Sequence, residues 1–522
     1  MSLSRFKKAA LFSALMAVSA MGPLAGQAHA AQVLNVGMAA SDLATLDPYR
    51  ASATQEKILM PWIYNGLTRF KPGSVSLDDI EPDLAQKWEV SADKKVWTFT
   101  LRDDVQFQAG FGKMSADDVV FSLDRARDAK TSTFAADFSN IDKVEAVDPR
   151  TVRVTLKAPS ADLAYLLVGY QGGFIVSKKA VEQRGDNFRL QPVGTGPFEF
   201  EAYQASQSVT LKANKQYFRG APKIDQIVFR YIRSDASRDL AYESGELDLV
   251  YGRQDQRWAE RMKDRADTKL DIIEPAYQGL AYLNTSRKPF NDLRARQAVA
   301  YAVDPERIVA FKGKLVAAES PTVIPKATLG ADLDAKLPPP DLEKAKALLK
   351  EAGYANGLTF KVIQTQNAAT LGPAQIMQAQ LRKAGIIMDM DVVEHATYHQ
   401  QIRKDLSDLV IYASSRFPIA DNYLKEFYLS SASPGQPGAA ANFAHCDAAD
   451  AEIKAAALEL DLAKRKELWK KAQEKIVAAV CAIPLFEQKI VWASRKTLDY
   501  GYDLQGSLSY GPLITEQTSL KK

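Results

Sequence analysis

Between residues 342 and 413 the hydrophobic period keeps switching, and this constrains the fold more than any other feature. Residues 342–352 are amphipathic with helical spacing and stop at Gly353. A strand-like run follows at 359–365, a helix at 374–384 closed by Gly385, and a strand at 386–393. Residues 397–404 read as a further helix, and Leu409-Val410-Ile411-Tyr412-Ala413 as a buried strand. Helices and strands in alternation imply an α/β architecture.

The first third of the chain reads differently. Val96 and Thr98 fall on one face of a strand at 95–102, with Trp97, Phe99 and Leu101 on the other. Residues 33–38 and 151–156 alternate in the same way. Ser115-Ala116-Asp117-Asp118 has the form of a capping box opening a helix at 119–127. A helix over 54–66 is expected to end on Asn65-Gly66, with short helical stretches at 81–85 and 161–168. Residues 314–340, rich in proline and small side chains, are expected to be a long ordered loop. The whole is α/β with a mixed subdomain.

A length of 522 residues allows two to four domains at ~150 residues each. The first 30 residues are expected to lie outside the fold. Arg5, Lys7 and Lys8 precede an apolar stretch at 9–20, and Ala28-His29-Ala30 has the small-residue pattern of a cleavage site. The mature chain is therefore expected to start at Ala31 and to be exported. Net charge is +4, three of the positive groups belonging to that leader. No basic stripe stands out, which argues against nucleic acid. In an exported chain the two cysteines, Cys446 and Cys481, are expected to form a disulfide.

Catalytic motifs are missing. There is no G-x-S-x-G, H-E-x-x-H or C-x-x-C, so no nucleophile–base set is in place. His395 and His399 are spaced to share a helix face but lack a third ligand, and a solvated face explains them. Val193-Gly194-Thr195-Gly196-Pro197-Phe198 lacks the Lys-Ser/Thr of a phosphate loop. The chain is read as a non-enzyme without cofactor or metal.

The strand at 409–413 opens into Ser414-Ser415-Arg416-Phe417-Pro418-Ile419-Ala420-Asp421. Ligands in open α/β sheets sit beyond the carboxyl ends of strands, so this loop is a candidate site with a fixed positive charge.

Eight segments in order then carry a resemblance: residues 62–70 (WIYNGLTRF), 81–90 (EPDLAQKWEV), 97–102 (WTFTLR), 115–123 (SADDVVFSL), 193–200 (VGTGPFEF), 290–307 (FNDLRARQAVAYAVDPER), 342–353 (LEKAKALLKEAG) and 484–486 (PLF). Together they resemble the peptide, nickel and opine solute-binding proteins of ABC importers, family 5 or cluster C. The resemblance implies a two-lobed type II periplasmic binding fold with an extra subdomain in lobe one. Lobe one would comprise 31–67, the extra subdomain 68–189, then 190–282 and a C-terminal return at 489–522; lobe two would be 283–488. Hinges would fall near Tyr282-Leu283-Asn284 and Glu487-Gln488-Lys489. A small-molecule ligand enclosed by hinge closure would pass to a membrane permease, the receptor itself being a monomer.

The same resemblance implies ligand contacts from Ser52, Thr54, Phe134, Tyr170, Gln171, Tyr282, Gln366, Asn367, Ser414, Ser415, Arg416, Phe417, Asp421 and Gln488. The chain departs from it in one respect. Peptide binders of the group place an aspartate for the ligand's α-amino group in the loop after the 409–413 strand; here no aspartate precedes Asp421, and Arg416 stands in the loop. The arginine that dipeptide binders use for the ligand carboxylate is also missing from Gln364-Thr365-Gln366-Asn367. A desolvated ammonium facing Arg416 would be repelled, so an anionic ligand is expected: an opine, a sugar-acid or phosphate conjugate, or a modified peptide. A conventional peptide and a nickel complex are the alternatives.

Overall fold

The computed structural model describes residues 31–436 and 441–521, and from Gln32 onward the chain forms one compact unit. The leader and its cleavage site lie outside the described residues. No helix among them is long and apolar enough to cross a membrane.

A nine-stranded mixed sheet organises the molecule. Its order runs Phe198–Gln204, Ser208–Ala213, Gln226–Tyr231, Val33–Met38, Leu249–Tyr251, Ala482–Arg495, Thr268–Leu283, Leu409–Ser414, with Ala317–Ala318 pairing on Ala482–Arg495. Val33–Met38 is parallel to both its neighbours. The two long central strands, of 16 and 14 residues, are antiparallel over nearly their whole length.

These two strands pass through separate cores. The first core holds Leu34, Trp62, Phe99, Ile273, Ile490 and Trp492. A second holds Ala281, Leu283, Phe360, Leu485 and Phe486, and a third gathers Tyr282, Tyr423, Phe427 and Trp469. The ladder between the strands breaks register between Ile273 and Tyr277. Along the first of these strands the chain passes from the first core to the second between Ile273 and Ala281. On the return strand the change falls between Phe486 and Ile490, at Glu487-Gln488-Lys489.

Local expectations were met unevenly. Ser115 and Asp118 do cap the helix Ala116–Arg127 reciprocally. The helix Thr54–Ile63, however, stops before Asn65-Gly66. Asn65 is buried instead, donating to Asp83 at 2.9 Å and accepting from Thr195 at 3.1 Å. Residues 81–85 are not helical: Asp83 and Leu84 form a bend between the strands Ile80–Pro82 and Ala85–Val90. The glycines at 194 and 196 exist for close approach: a Cβ on Gly194 would meet the Ile63 carbonyl at 2.1 Å. That contact fixes the end of the first helix against the strand Phe198–Gln204. Cys446 and Cys481 are joined, with Cα atoms 5.8 Å apart.

Candidate functional site: a cavity under the C-terminal segment

The helix Thr54–Ile63 buries Ile58, Leu59 and Trp62 in the first core and turns Lys57, Met60 and Pro61 toward a cavity of about 100 Å³. The turn at 168–171 forms a second wall and the C-terminal stretch 506–516 a third. Every lining residue belongs to the part of the chain packed on the first core.

Glu56 and Lys57 are adjacent but face different tasks. The Glu56 carboxylate is buried and accepts from the backbone N–H groups of Ala44, Thr45, Ser52 and Ala53, at 2.9–3.3 Å. It pins the segment that leads into the helix. Lys57 has no carboxylate and no hydrogen-bond acceptor among the described residues; its Nζ lies 5.4 Å from the centroid of the Tyr510 ring. Burial pushes its pKa down to about 8, and the Arg416 guanidinium adds to the effect while Glu56 opposes it.

Arg416 is engaged. Its Nε and Nη2 donate to the two carboxylate oxygens of Glu426, and Nη1 donates to the Ser415 carbonyl at 2.8 Å. Its guanidinium also lies 5.3 Å from the centroid of the Phe427 ring. Burial by itself would lower the guanidinium's pKa; the paired Glu426 carboxylate reverses this and holds it above the ordinary value. The Arg416 charge is thus paired with a carboxylate of the helix Ala420–Tyr428 that follows the loop.

Tyr170 and Gln171 line the cavity. Gln171 adopts φ +47°, a left-handed conformation unusual for a side chain with a Cβ, and its amide donates to the Tyr170 hydroxyl at 3.1 Å. Phe417 stacks on Phe70, a lining residue, with ring centroids 6.0 Å apart. Ser415 is a hydrogen-bond partner of Tyr510. So 415–417 touch the rim, while none of them lines the cavity itself.

The other residues expected to contact a ligand lie as follows. Tyr282 is buried among Phe427, Tyr428 and Phe443. Gln488 is buried and donates to the Val316 carbonyl at 2.6 Å. Asp421, in the first turn of the helix Ala420–Tyr428, accepts from the Trp469 indole at 2.6 Å and from Lys425 at 2.9 Å. Ser414 is buried at the end of its strand, opposite Gln278. Asn367 caps the helix Ala368–Lys383, and Gln366 is exposed beside it. Phe134 packs on the first core, and Ser52 and Thr54 lie at the start of the helix that carries Lys57 without lining the cavity. Lys57, Ser507, Ser509 and Tyr510 were not anticipated. The tail carries no motif, and a lone lysine in an amphipathic helix looks like a solvated one. His395 and His399 face each other with Nε2 atoms 3.3 Å apart, and no group of three or more metal-ligating side chains occurs among the described residues.

The family described as bacterial extracellular solute-binding proteins, family 5, matches residues 79–435. The chain belongs to it. It is 31% identical over 386 residues to heme-binding protein A of Haemophilus influenzae, covering 68% of each chain. It is 29% identical over 472 residues to the glutathione-binding protein GsiB of Salmonella typhi, covering 88% of this chain and 90% of that one. Among solved structures it resembles MoaA of A. tumefaciens R10 in complex with mannopinic acid, at 48% identity and TM-score 0.84 over 94% of this chain and 100% of that one. DppA of Helicobacter pylori, in complex with the peptide STSA, matches at 27% identity and TM-score 0.78, covering 94% of this chain and 98% of that one.

The fold is therefore the two-lobed one of periplasmic binding proteins, and the family-5 chain is a solute-binding receptor of an ABC importer rather than an enzyme. Arg465, in the helix Leu462–Ala478 that packs on the third core, donates to Asp162 at 2.8 Å, just ahead of Leu163 in the first core. The stack of Phe70 on Phe417 is a second contact between distant parts of the chain.

Proposed function

We propose that the chain is the periplasmic receptor for an opine-like acid, captured by hinge closure and handed to its permease. The observation that carries this is the 48% identity to MoaA, sustained over 94% of the chain, since MoaA was solved with mannopinic acid. The site's chemistry agrees with an acid. A half-buried lysine without a counter-ion faces the cavity, and the aspartate that peptide binders of the family use for an α-amino group is missing before Asp421. Arg416 contributes as the Glu426-locked edge of the rim, together with Ser415 and Phe417. Tyr170 and Gln171 form the opposite wall. The leader at 1–30 is read as the export signal, the hinges as 274–276 and 487–489, and the receptor as a monomer.

Calorimetric titration with mannopinic acid, glutathione, a neutral dipeptide and nickel–histidine tests the reading. Saturable binding of the acid at least tenfold tighter than of the others is the expected result. Preference for the neutral dipeptide or the nickel complex would refute it.

A further inference from the structure

We infer that Lys57, together with the hydroxyls of Ser507 and Ser509, forms a subsite that receives one carboxylate of the ligand inside the cavity walled by the C-terminal segment. The inference rests on the reading of the ligand as an acid and adds where one end of it goes. A cavity of about 100 Å³ has room for several waters, at ~10–15 Å³ each, but is small beside the ~300 Å³ and more of a whole-ligand pocket. Its size suits an end group.

The polar groups in it are incompletely satisfied. An ammonium held out of bulk water needs a counter-ion or acceptors. Lys57 has neither, and its neighbour Glu56 is spent on four backbone donors. The Tyr510 ring beneath it orients the cation without neutralising it. Ser507 and Ser509 are buried; their hydroxyls share a hydrogen bond, 2.9 Å between oxygens, and Ser507 Oγ also accepts from the Ser509 N–H at 3.3 Å. Two hydroxyls carry two protons, and that bond uses one. The other has no acceptor among the described residues. One lysine and one free hydroxyl proton in a small cavity make a donor set for a carboxylate.

Carboxylates already present do not fill this role. Asp83 and Glu516 also line the cavity, but both act on Tyr217 together with Arg69, and neither is among the groups that act on Lys57. Asp83 is held by Arg219 at 2.9 Å. Arg416 repels Lys57, which increases the demand for an anion between them.

The experiment is a titration of mannopinic acid into the unchanged protein, Lys57→Met, Lys57→Arg and the double variant Ser507→Ala/Ser509→Ala, with melting curves for each. Losing a charge-assisted contact should weaken binding roughly 10- to 100-fold in Lys57→Met, while the melting temperature stays level or rises because a buried charge has gone. Lys57→Arg should recover most of the affinity, and the serine pair should lose about threefold to tenfold. If Lys57→Met binds the acid as the unchanged protein does, the subsite is overturned while the opine reading survives. If the unchanged protein does not bind the acid, the reading and the subsite fall together.

Discussion

Arg416 and Glu426 lie ten residues apart and meet fork to fork, so the one arginine of the loop after the 409–414 strand has its counter-ion within the protein. Lys57, which the Arg416 charge still reaches, has none among the described residues.

Removing the lock has a stated consequence. Glu426→Gln leaves Arg416 with a neutral partner and returns its charge to the cleft. Affinity for mannopinic acid should rise about threefold to tenfold, at a cost of about 1–2 kcal/mol in stability for a partly buried pair. Arg416→Ala leaves Glu426 unpaired beside the ligand and should weaken the same binding by a comparable factor. Titration and chemical denaturation of the two variants measure both effects.

Alkaline pH should release an acid from this site. The Lys57 pKa is lowered to about 8, so the free protein loses that charge as pH rises through 8, while an anion binds the charged form. Affinity should be flat below pH ~7 and fall up to tenfold per unit above ~8, until the raised pKa of the bound state is passed. Of the other groups facing Lys57, Arg416 stays charged and Tyr510 is held above its ordinary value by burial, so neither titrates in this window. In Lys57→Met the alkaline fall should vanish, as titrations across pH 6–10 will record.

Much of the fold was legible because it rests on repetition. The switching period of 342–413 and the alternation in 96–101 each place many residues, and tertiary contacts seldom override such patterns. The site was less legible because it rests on single side chains. Arg416 was visible, whereas its partner Glu426 sits one loop and two helical turns away, with nothing in the spacing to link them. Nothing in the sequence around Asp421 announces the Trp469 indole that donates to it from 48 residues away. The C-terminal wall at 506–516 has no periodicity, and only the folded chain brings it over Lys57.

Closure should depend on Arg465 and Asp162. The arginine side chain is only 6% exposed and reaches Asp162, on the other side of the proposed lobe division. Arg465→Ala should shift the receptor toward an open form, with affinity down roughly five- to tenfold and a larger radius of gyration in solution scattering. Asp162→Ala should do the same, and the double variant should add little to either single one.

The Cys446–Cys481 bridge closes a loop with a separation of 35 residues. Chain-entropy arguments put its contribution at about 3–4 kcal/mol. Cys446→Ser/Cys481→Ser should unfold at correspondingly lower denaturant concentration yet bind ligand with little change, since the bridge lies in the third core and not at the cavity.

The most direct measurement is the mass of whatever accompanies the protein when it is purified under native conditions and sprayed intact. The expected companion is a small molecule that carries at least one carboxylate, as shown by its mass shift on esterification, and that the Lys57→Met protein no longer retains. A neutral peptide or a bare metal complex, retained equally by both proteins, would contradict the account.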